Sequence, residues 1–268
     1  MDEPHTLALI VAHPDDDAYG LAGTVALHEH DPGFRFILVH ATDGGAGEIA
    51  PDYPASGLPL GVIRRRETAN AWRAHGYPPD RHEWLDYDDG CVAGVDPDEL
   101  AARVERILAE ERPQVVATFG PDGITGHPDH IAVGAAVDAA FDSVRRTAGP
   151  GLRRLVHGAL RRSTVQRWNR LRVRSGQRPW DPERIYDLRG VPDEWIGIEV
   201  DTSAAAARIV AGLKEHRTQR HVIFDPHGND RSWQRLVSRE PLVIAWPPRP
   251  PGQPVLDDVF AGIGQVPR

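Results

Sequence analysis

Short apolar runs alternate with amphipathic stretches along most of this chain. Residues 7–12 (Leu-Ala-Leu-Ile-Val-Ala) form an uninterrupted apolar run of the length of a fully buried strand. Residues 18–30 read as a helix ended by Asp31-Pro32-Gly33, and residues 34–41 as a second strand. A Pro- and Gly-rich loop (51–61) leads to a helix at 62–75 closed by Gly76 and Pro78, then a third strand at 82–87. Pro97 opens a helix whose apolar positions Leu100, Val104, Ile107 and Leu108 fall on one face. A strand at 114–119, a Gly-rich loop and a long helix from His127 to about Arg146 complete the first half. Strands alternating with helices predict an α/β, Rossmann-like fold, with a mainly parallel sheet and helices on both faces.

The second half is less regular. Residues 157–161 read as a strand, 165–174 as a basic segment without a clear element, and 195–200 as an alternating strand. Ser203 is placed to cap a helix over 204–220, and residues 222–246 hold a short helix and the apolar run Leu242–Trp246. Beyond Pro247 proline and glycine dominate, which predicts a tail lying on the surface or disordered. The expected organisation is one domain over residues 1–246 with a tail at 247–268.

Composition narrows the function. The chain has 268 residues, 40% hydrophobic and 26% charged, enough for a sizeable core. A formal charge of −8 disfavours a general nucleic-acid or anionic-membrane binder. The ten arginines between Arg145 and Arg174 are the contrary signal, yet no nucleic-acid-binding motif accompanies them. A single cysteine, Cys91, excludes an intrachain disulfide and a cysteine-based zinc site. The N-terminal apolar run is too short for a signal peptide or a membrane span, so a cytoplasmic location is expected.

Two stretches carry chemistry. His13-Pro14-Asp15-Asp16-Asp17 packs an imidazole and three acids at the end of the first strand. Pro14 cannot donate to a ladder, so pairing stops there, and burying so many carboxylates without a partner is costly. A metal ion supplies the missing positive charge. His127-Pro128-Asp129-His130 offers two more imidazoles at i and i+3, at the start of a helix that follows a strand. Alone, His-Pro-Asp is an ordinary turn and His-x-x-His an ordinary surface pair. Together, with His13 and either Asp15 or Asp16, they make a His/His/carboxylate set that suits zinc and leaves a coordination position open, as in catalytic sites.

Ala12-His13-Pro14-Asp15-Asp16 near the N-terminus, with Gly126-His127-Pro128-Asp129-His130 in mid-chain, resembles the PIG-L/LmbE family of zinc-dependent N-deacetylases. Arg64-x-x-Glu67, Asp89-Gly90 and Lys214-x-His216-Arg217-Thr218-Gln219 resemble supporting features of that family. The resemblance implies that His13, Asp16 and His130 hold one Zn2+ per chain, with Fe2+ or Co2+ as substitutes. It makes Asp15 the general base toward metal-bound water. His127 becomes the group that stabilises the oxyanion or protonates the leaving amine, with Asp129 setting its protonation. Arg64, Asp89 and His216 are implied on the substrate side; an Arg64–Glu67 ion pair and a helix-terminal His216 are the plain structural alternatives. Two positions depart from the family pattern: Asp17 stands where glutamate is usual, and Thr125 where a tyrosine assists the oxyanion.

The implied activity is removal of an N-acyl, most simply N-acetyl, group from an amino sugar or related small-molecule amide. The alternative within enzymes is an amidase acting on a larger conjugate, such as a mycothiol-type adduct or an acylated natural product. The alternative from another class is an arginine-rich nucleic-acid-binding protein. The expected partner is therefore a small-molecule substrate, with no nucleic acid and no membrane span; a homo-oligomer is compatible with the sequence.

Overall fold

The computed structural model describes residues 5–224, 228–250 and 252–263. In chain order the elements are β1 (Thr6–Val11), α1 (Asp16–Gly20), α2 (Ala22–His28), β2 (Arg35–Thr42), α3 (Leu60–His75), β3 (Arg81–Tyr87), α4 (Pro97–Glu111), β4 (Val115–Phe119), α5 (Gly123–Gly126) and α6 (Pro128–Arg145). They continue as β5 (Arg154–Gly158), α7 (Arg162–Arg174), β6 (Ile196–Asp201), α8 (Ala206–Leu213), α9 (Arg220–Ile223), α10 (Asp230–Leu236) and β7 (Arg239–Trp246). The fold is α/β, with seven mostly parallel strands and helices around them. The chain divides into two compact units, residues 1–92 with 201–240, and residues 93–200 with 241–268.

In the first unit β1 is completely buried, as its unbroken apolar run requires, and it pairs in parallel with β2. β2 pairs in parallel with β3, with a register shift between His40 and Thr42. Parallel pairing sends all three carboxyl ends to one edge, the edge at which α/β sheets bind ligands. That edge carries His13–Asp17 after β1, the Asp43–Gly47 loop after β2, and Asp88–Gly90 after β3. α3 ends where expected, with Gly76 in the left-handed region at φ 100°. The helix after β1 is in two pieces: Leu21 (φ −146°) interrupts it, separating α1 from α2.

In the second unit β4 and β5 pair in parallel, and β7 joins β5 in the antiparallel sense. α4 begins at Asp96, whose carboxylate accepts the Asp98 amide, and Pro97 occupies its first turn. Its buried positions are Leu100, Val104, Ile107 and Leu108, the apolar face read from the sequence.

Four expectations change. The basic segment at 165–174 is part of helix α7. The helix expected over 204–220 stops at Leu213 and has no side-chain cap; a 3-10 turn at Arg217–Gln219 and the short α9 follow. The fifth strand lies at Arg154–Gly158, several residues earlier than the alternation suggested. The segment after Pro247 is not a loose tail throughout. Leu256 bridges to Ile198, Val259 is fully buried, and the buried Arg154 guanidinium donates to the carbonyls of Val259 and Ala261. Proline and glycine content hid these few apolar anchors; residues 264–268 lie outside the described part.

Candidate active site

The first unit carries six of the residues singled out from the sequence. His13 lies two residues beyond β1, and its backbone N–H donates to Asp16 Oδ2 at 2.8 Å. Its imidazole Nδ1 is 3.3 Å from the same oxygen, while Nε2 is 3.0 Å from Asp89 Oδ1. The other Asp89 oxygen accepts the Ala46 N–H at 2.9 Å. Carboxylates thus face both ring nitrogens, and when Nδ1 is deprotonated Asp89 holds the remaining proton on Nε2. Burial alone would raise the Asp89 carboxyl; the hydrogen bond and charge of His13, with the Ala46 amide, hold it below its ordinary value.

Asp15 occupies a backbone conformation that favours glycine, with φ 92° and ψ −32°. Two groups keep it there. Its N–H donates to Asp17 Oδ1 at 3.1 Å, and its carboxylate receives Arg64 Nη2 at 3.2 Å. The same guanidinium donates to the carbonyls of Pro14 and Gly44. Gly44 is required for that approach: a Cβ there would sit 2.2 Å from Arg64 Nη1. Burial pushes the Asp15 carboxyl up to about 7, against the opposing pull of Arg64. Adjacent acids thus sit in different settings, Asp16 against His13 and Asp15 against a guanidinium.

Asp17 lies behind them with no exposed surface. It accepts from Trp72 Nε1 and stands 3.2 Å from His40 Nε2, in addition to its bond from the Asp15 amide. Burial would raise this carboxyl, but His40 and the hydrogen bonds outweigh it and hold Asp17 well below the usual carboxylate range. The sequence flagged Asp17 only as a departure from a pattern. Its work here is to fix the backbone of Asp15.

Arg64 and His216, which the resemblance implied on the substrate side, are both interior. Arg64 is 4% exposed and engaged with Asp15 and two carbonyls rather than with Glu67. His216 is fully buried, and burial lowers its imidazole to about 4. Neither side chain presents a surface to a dissolved substrate in this conformation. Glu67 instead accepts both the backbone N–H and the hydroxyl of Thr218, and Gln219 Nε2 donates to the Glu48 carbonyl. The 214–219 motif therefore fastens α3 and the 43–61 loop. An open, polar pocket of about 320 Å³ lies beside Asp89, lined by Asp43, Gly45, Ala46, Arg65, Tyr87 and Asp88 among others.

The second unit carries the other three. His127 is the N-cap of α6, and its Nδ1 accepts the Asp129 N–H at 3.1 Å. That nitrogen must be unprotonated, so in the neutral ring the proton is on Nε2. His130 is the opposite: its Nδ1 is 3.0 Å from the Gly123 carbonyl, which can only accept. Nδ1 therefore carries the proton and Nε2 the lone pair. The His130 ring stacks on Phe119 at 4.1 Å between centroids, and on His127 at 4.9 Å. Asp129 is fully buried and accepts the Ala93 N–H at 3.3 Å. Thr125 offers its carbonyl to the Tyr186 N–H, and the Tyr186 ring lies edge-on to His127 at 5.3 Å. Nothing in the sequence pointed to Tyr186, which is far away in the chain and outside any motif.

Imidazole nitrogen and carboxylate oxygen, the donor types that each unit carries, are those that divalent ions of borderline softness take. In the second unit the Gly123 carbonyl fixes the His130 tautomer from the opposite ring nitrogen.

The PIG-L profile, described as GlcNAc-PI de-N-acetylase, matches residues 8–141. A 1D-myo-inositol 2-acetamido-2-deoxy-alpha-D-glucopyranoside deacetylase of Kineococcus radiotolerans is 31% identical over 253 residues, covering 82% of this chain and 70% of the relative. The chain belongs to the PIG-L family. Its relatives are N-deacetylases, hydrolases of an amide bond on an amino-sugar derivative. Solved structures agree on the fold. The N,N'-diacetylchitobiose deacetylase from Pyrococcus horikoshii superposes with a TM-score of 0.56 at 22% identity, covering 90% of this chain and 84% of that one. The A40926 pseudoaglycone deacetylase gives 0.59 at 18% identity, covering 90% and 97%. Among the described residues no helix is long and apolar enough to cross a membrane.

Five of the ten arginines at 145–174 are engaged in the structure. Arg145 and Arg146 pair with Asp142, Arg161 with Glu199, and Arg172 lies over the Trp180 ring. Arg154 is buried on backbone carbonyls, so the run does not form a continuous phosphate-binding stripe.

Proposed function

We propose that this PIG-L protein removes the N-acetyl group of a 2-acetamido sugar, with His13, Asp16 and His130 holding one divalent metal ion, zinc by the chemistry of the donors. The observation that carries the assignment is the contrast between His127 and His130. Three residues apart, they are held in opposite tautomers by the Asp129 amide and the Gly123 carbonyl. His130 offers a lone pair and suits ligation. His127 offers an N–H and suits proton donation.

When bound, the ion supplies Lewis acidity toward the amide oxygen and makes water a better nucleophile at neutral pH. The protein does the rest. Asp15, fixed by Arg64 and Asp17 and carrying a carboxyl pushed up to about 7, takes the proton of the attacking water. His127 Nε2–H donates a hydrogen bond to the developing oxyanion, and the proton that Asp15 took from water passes to the departing amine, while Asp129 holds the helix start that fixes the His127 ring. Asp89 orients His13 and closes one side of the polar pocket, where hydroxyl-rich substrate finds acceptors. Arg64 and His216 act from the interior, on the position and charge of the Asp15–Asp17 stretch. This reading implies a small N-acylated amino sugar as partner and a cytoplasmic location.

The test is a screen of N-acetylated amino sugars against metal-loaded protein, scored by released free amine. Release that is abolished by a chelator and restored by zinc supports the reading. Amine release that a chelator leaves untouched overturns it. Release from large acylated conjugates alone would favour the amidase alternative.

A further inference from the structure

A second group of metal-type donors lies at the opposite end of β1. His5 immediately precedes β1, His28 is the last residue of α2, and Asp31 lies in the turn that leads to β2. One donor atom from each of the three lies within 4.8 Å of the others. His28 Nδ1 is 2.6 Å from Asp31 Oδ2, and the His5 and His28 rings meet edge-on at 6.4 Å. Six strand residues at about 3.3 Å each put roughly 20 Å between this group and His13, so it cannot share an ion with the catalytic motif.

One donor is buried and the other two sit at the surface on hydrogen-bonded backbone. His28 is 8% exposed and its ring stacks on Phe34 at 5.3 Å. The turn is closed by the Asp31 N–H on the His28 carbonyl and the Phe34 N–H on the Asp31 carbonyl. His5 is tied down by its own carbonyl, which accepts the Arg35 N–H at the start of β2. Backbone bonds thus fix the main chain that carries all three side chains, which lowers the ordering cost of binding an ion. The neighbouring His30 is 91% exposed at its side chain and pairs with Glu29, so it is not one of the donors.

We propose that His5, His28 and Asp31 form a second metal site, taking zinc or another borderline divalent cation through two imidazole nitrogens and one carboxylate oxygen. Two nitrogens and one oxygen match such ions better than calcium or magnesium, and solvent completes the coordination. Bound there, the ion links the start of β1 to the α2–β2 turn. It acts as a clip on the first unit and takes no part in the hydrolysis.

The experiment uses the full-length chain carrying Asp16→Asn and His130→Ala, which removes the proposed catalytic ligands and makes the result independent of that assignment. Zinc is titrated against a chromophoric indicator, and the thermal midpoint is followed with and without zinc. The expected result is one ion still bound, a midpoint raised by zinc, and affinity reduced at least about tenfold by adding either His5→Ala or Asp31→Asn. Both added changes are at exposed positions, so the fold is retained. In the otherwise unaltered enzyme the same two substitutions leave deacetylase activity unchanged and lower zinc stoichiometry from two to one. No binding by the Asp16→Asn/His130→Ala protein, or binding that His5→Ala and Asp31→Asn leave intact, overturns the proposal.

Discussion

Replacing Asp89 by asparagine separates two roles for that residue. Its carboxylate accepts from both sides, His13 Nε2–H at 3.0 Å and Ala46 N–H at 2.9 Å. Asparagine keeps the shape but has one acceptor and one donor end. If its oxygen turns to Ala46, its NH2 faces His13 Nε2, which must then become an acceptor and move its proton to Nδ1, where the lone pair toward Asp16 is lost. If its oxygen turns to His13, two N–H groups oppose each other at Ala46, at a cost of about 1–3 kcal/mol unless water intervenes. Either way the metal-binding tautomer is penalised. Removing such an outer partner typically costs about 10–100-fold in metal affinity or activity, or about 1.4–2.7 kcal/mol. The assay is zinc affinity by competition with a chelating indicator, alongside kcat and KM on a substrate from the screen. Asp89→Asn is expected to weaken zinc binding and, at saturating zinc, to recover most of kcat. Zinc affinity within twofold of the parent, with KM raised and kcat unchanged, would refute the reasoning and return Asp89 to the substrate-binding role implied by the motif.

Asp15→Asn should retain the ion yet lose about 10²–10⁴-fold in kcat with little change in KM, whereas Asp16→Asn should lose metal; metal analysis and kinetics on both decide, and the reverse pattern exchanges their roles. His127→Ala should keep metal while losing activity by a similar factor, and His130→Ala should come out metal-poor; a metal-free His127→Ala beside a loaded His130→Ala would show the two tautomers to be misread. Glu240 is buried against the start of α2, accepting from Gly23 N–H, Thr24 N–H and the Thr24 hydroxyl, and burial pushes its carboxyl from 4.5 up to about 7. A raised carboxyl stabilises the fold below the unfolded value and loses that contribution as pH rises through about 7, some ~3 kcal/mol in all. Denaturant unfolding of the parent relative to Glu240→Gln should therefore show the parent losing ground from pH 4.5 to 7.5; a difference that stays flat with pH would disprove this.

Much of the fold was legible because its signals are local. The apolar run of β1, the Asp96-Pro97 start of α4 and the Gly76 stop of α3 each need only a few neighbouring residues. The two His-Pro-Asp stretches were legible for the same reason, since so much charge at a strand or helix end has few uses. What could not be read is what those residues lean on. Arg64 is 49 residues from Asp15, and Glu67 is 151 residues from Thr218; periodicity says nothing of either partnership. The same holds for β7, whose apolar run was visible but whose antiparallel place beside β5 was not. The helix expected over 204–220 stops at Leu213, and beyond it the Thr218 N–H goes to Glu67 rather than to a helical carbonyl, a case of packing overriding local preference.

The left-handed backbone at Asp15 also bears on how such a protein can change over time. A residue with a Cβ is held there at a cost of about 1–3 kcal/mol, next to two further acids and largely out of water. Glycine at the same position would relax the backbone and remove the crowded charge, so selection for thermal resistance alone would drive the position toward glycine. On the proposed mechanism, selection for chemistry is what keeps the aspartate, with its Arg64 contact the structural offset. Position 15 is thus one at which a lineage that has abandoned catalysis should drift early, gaining robustness as it loses activity.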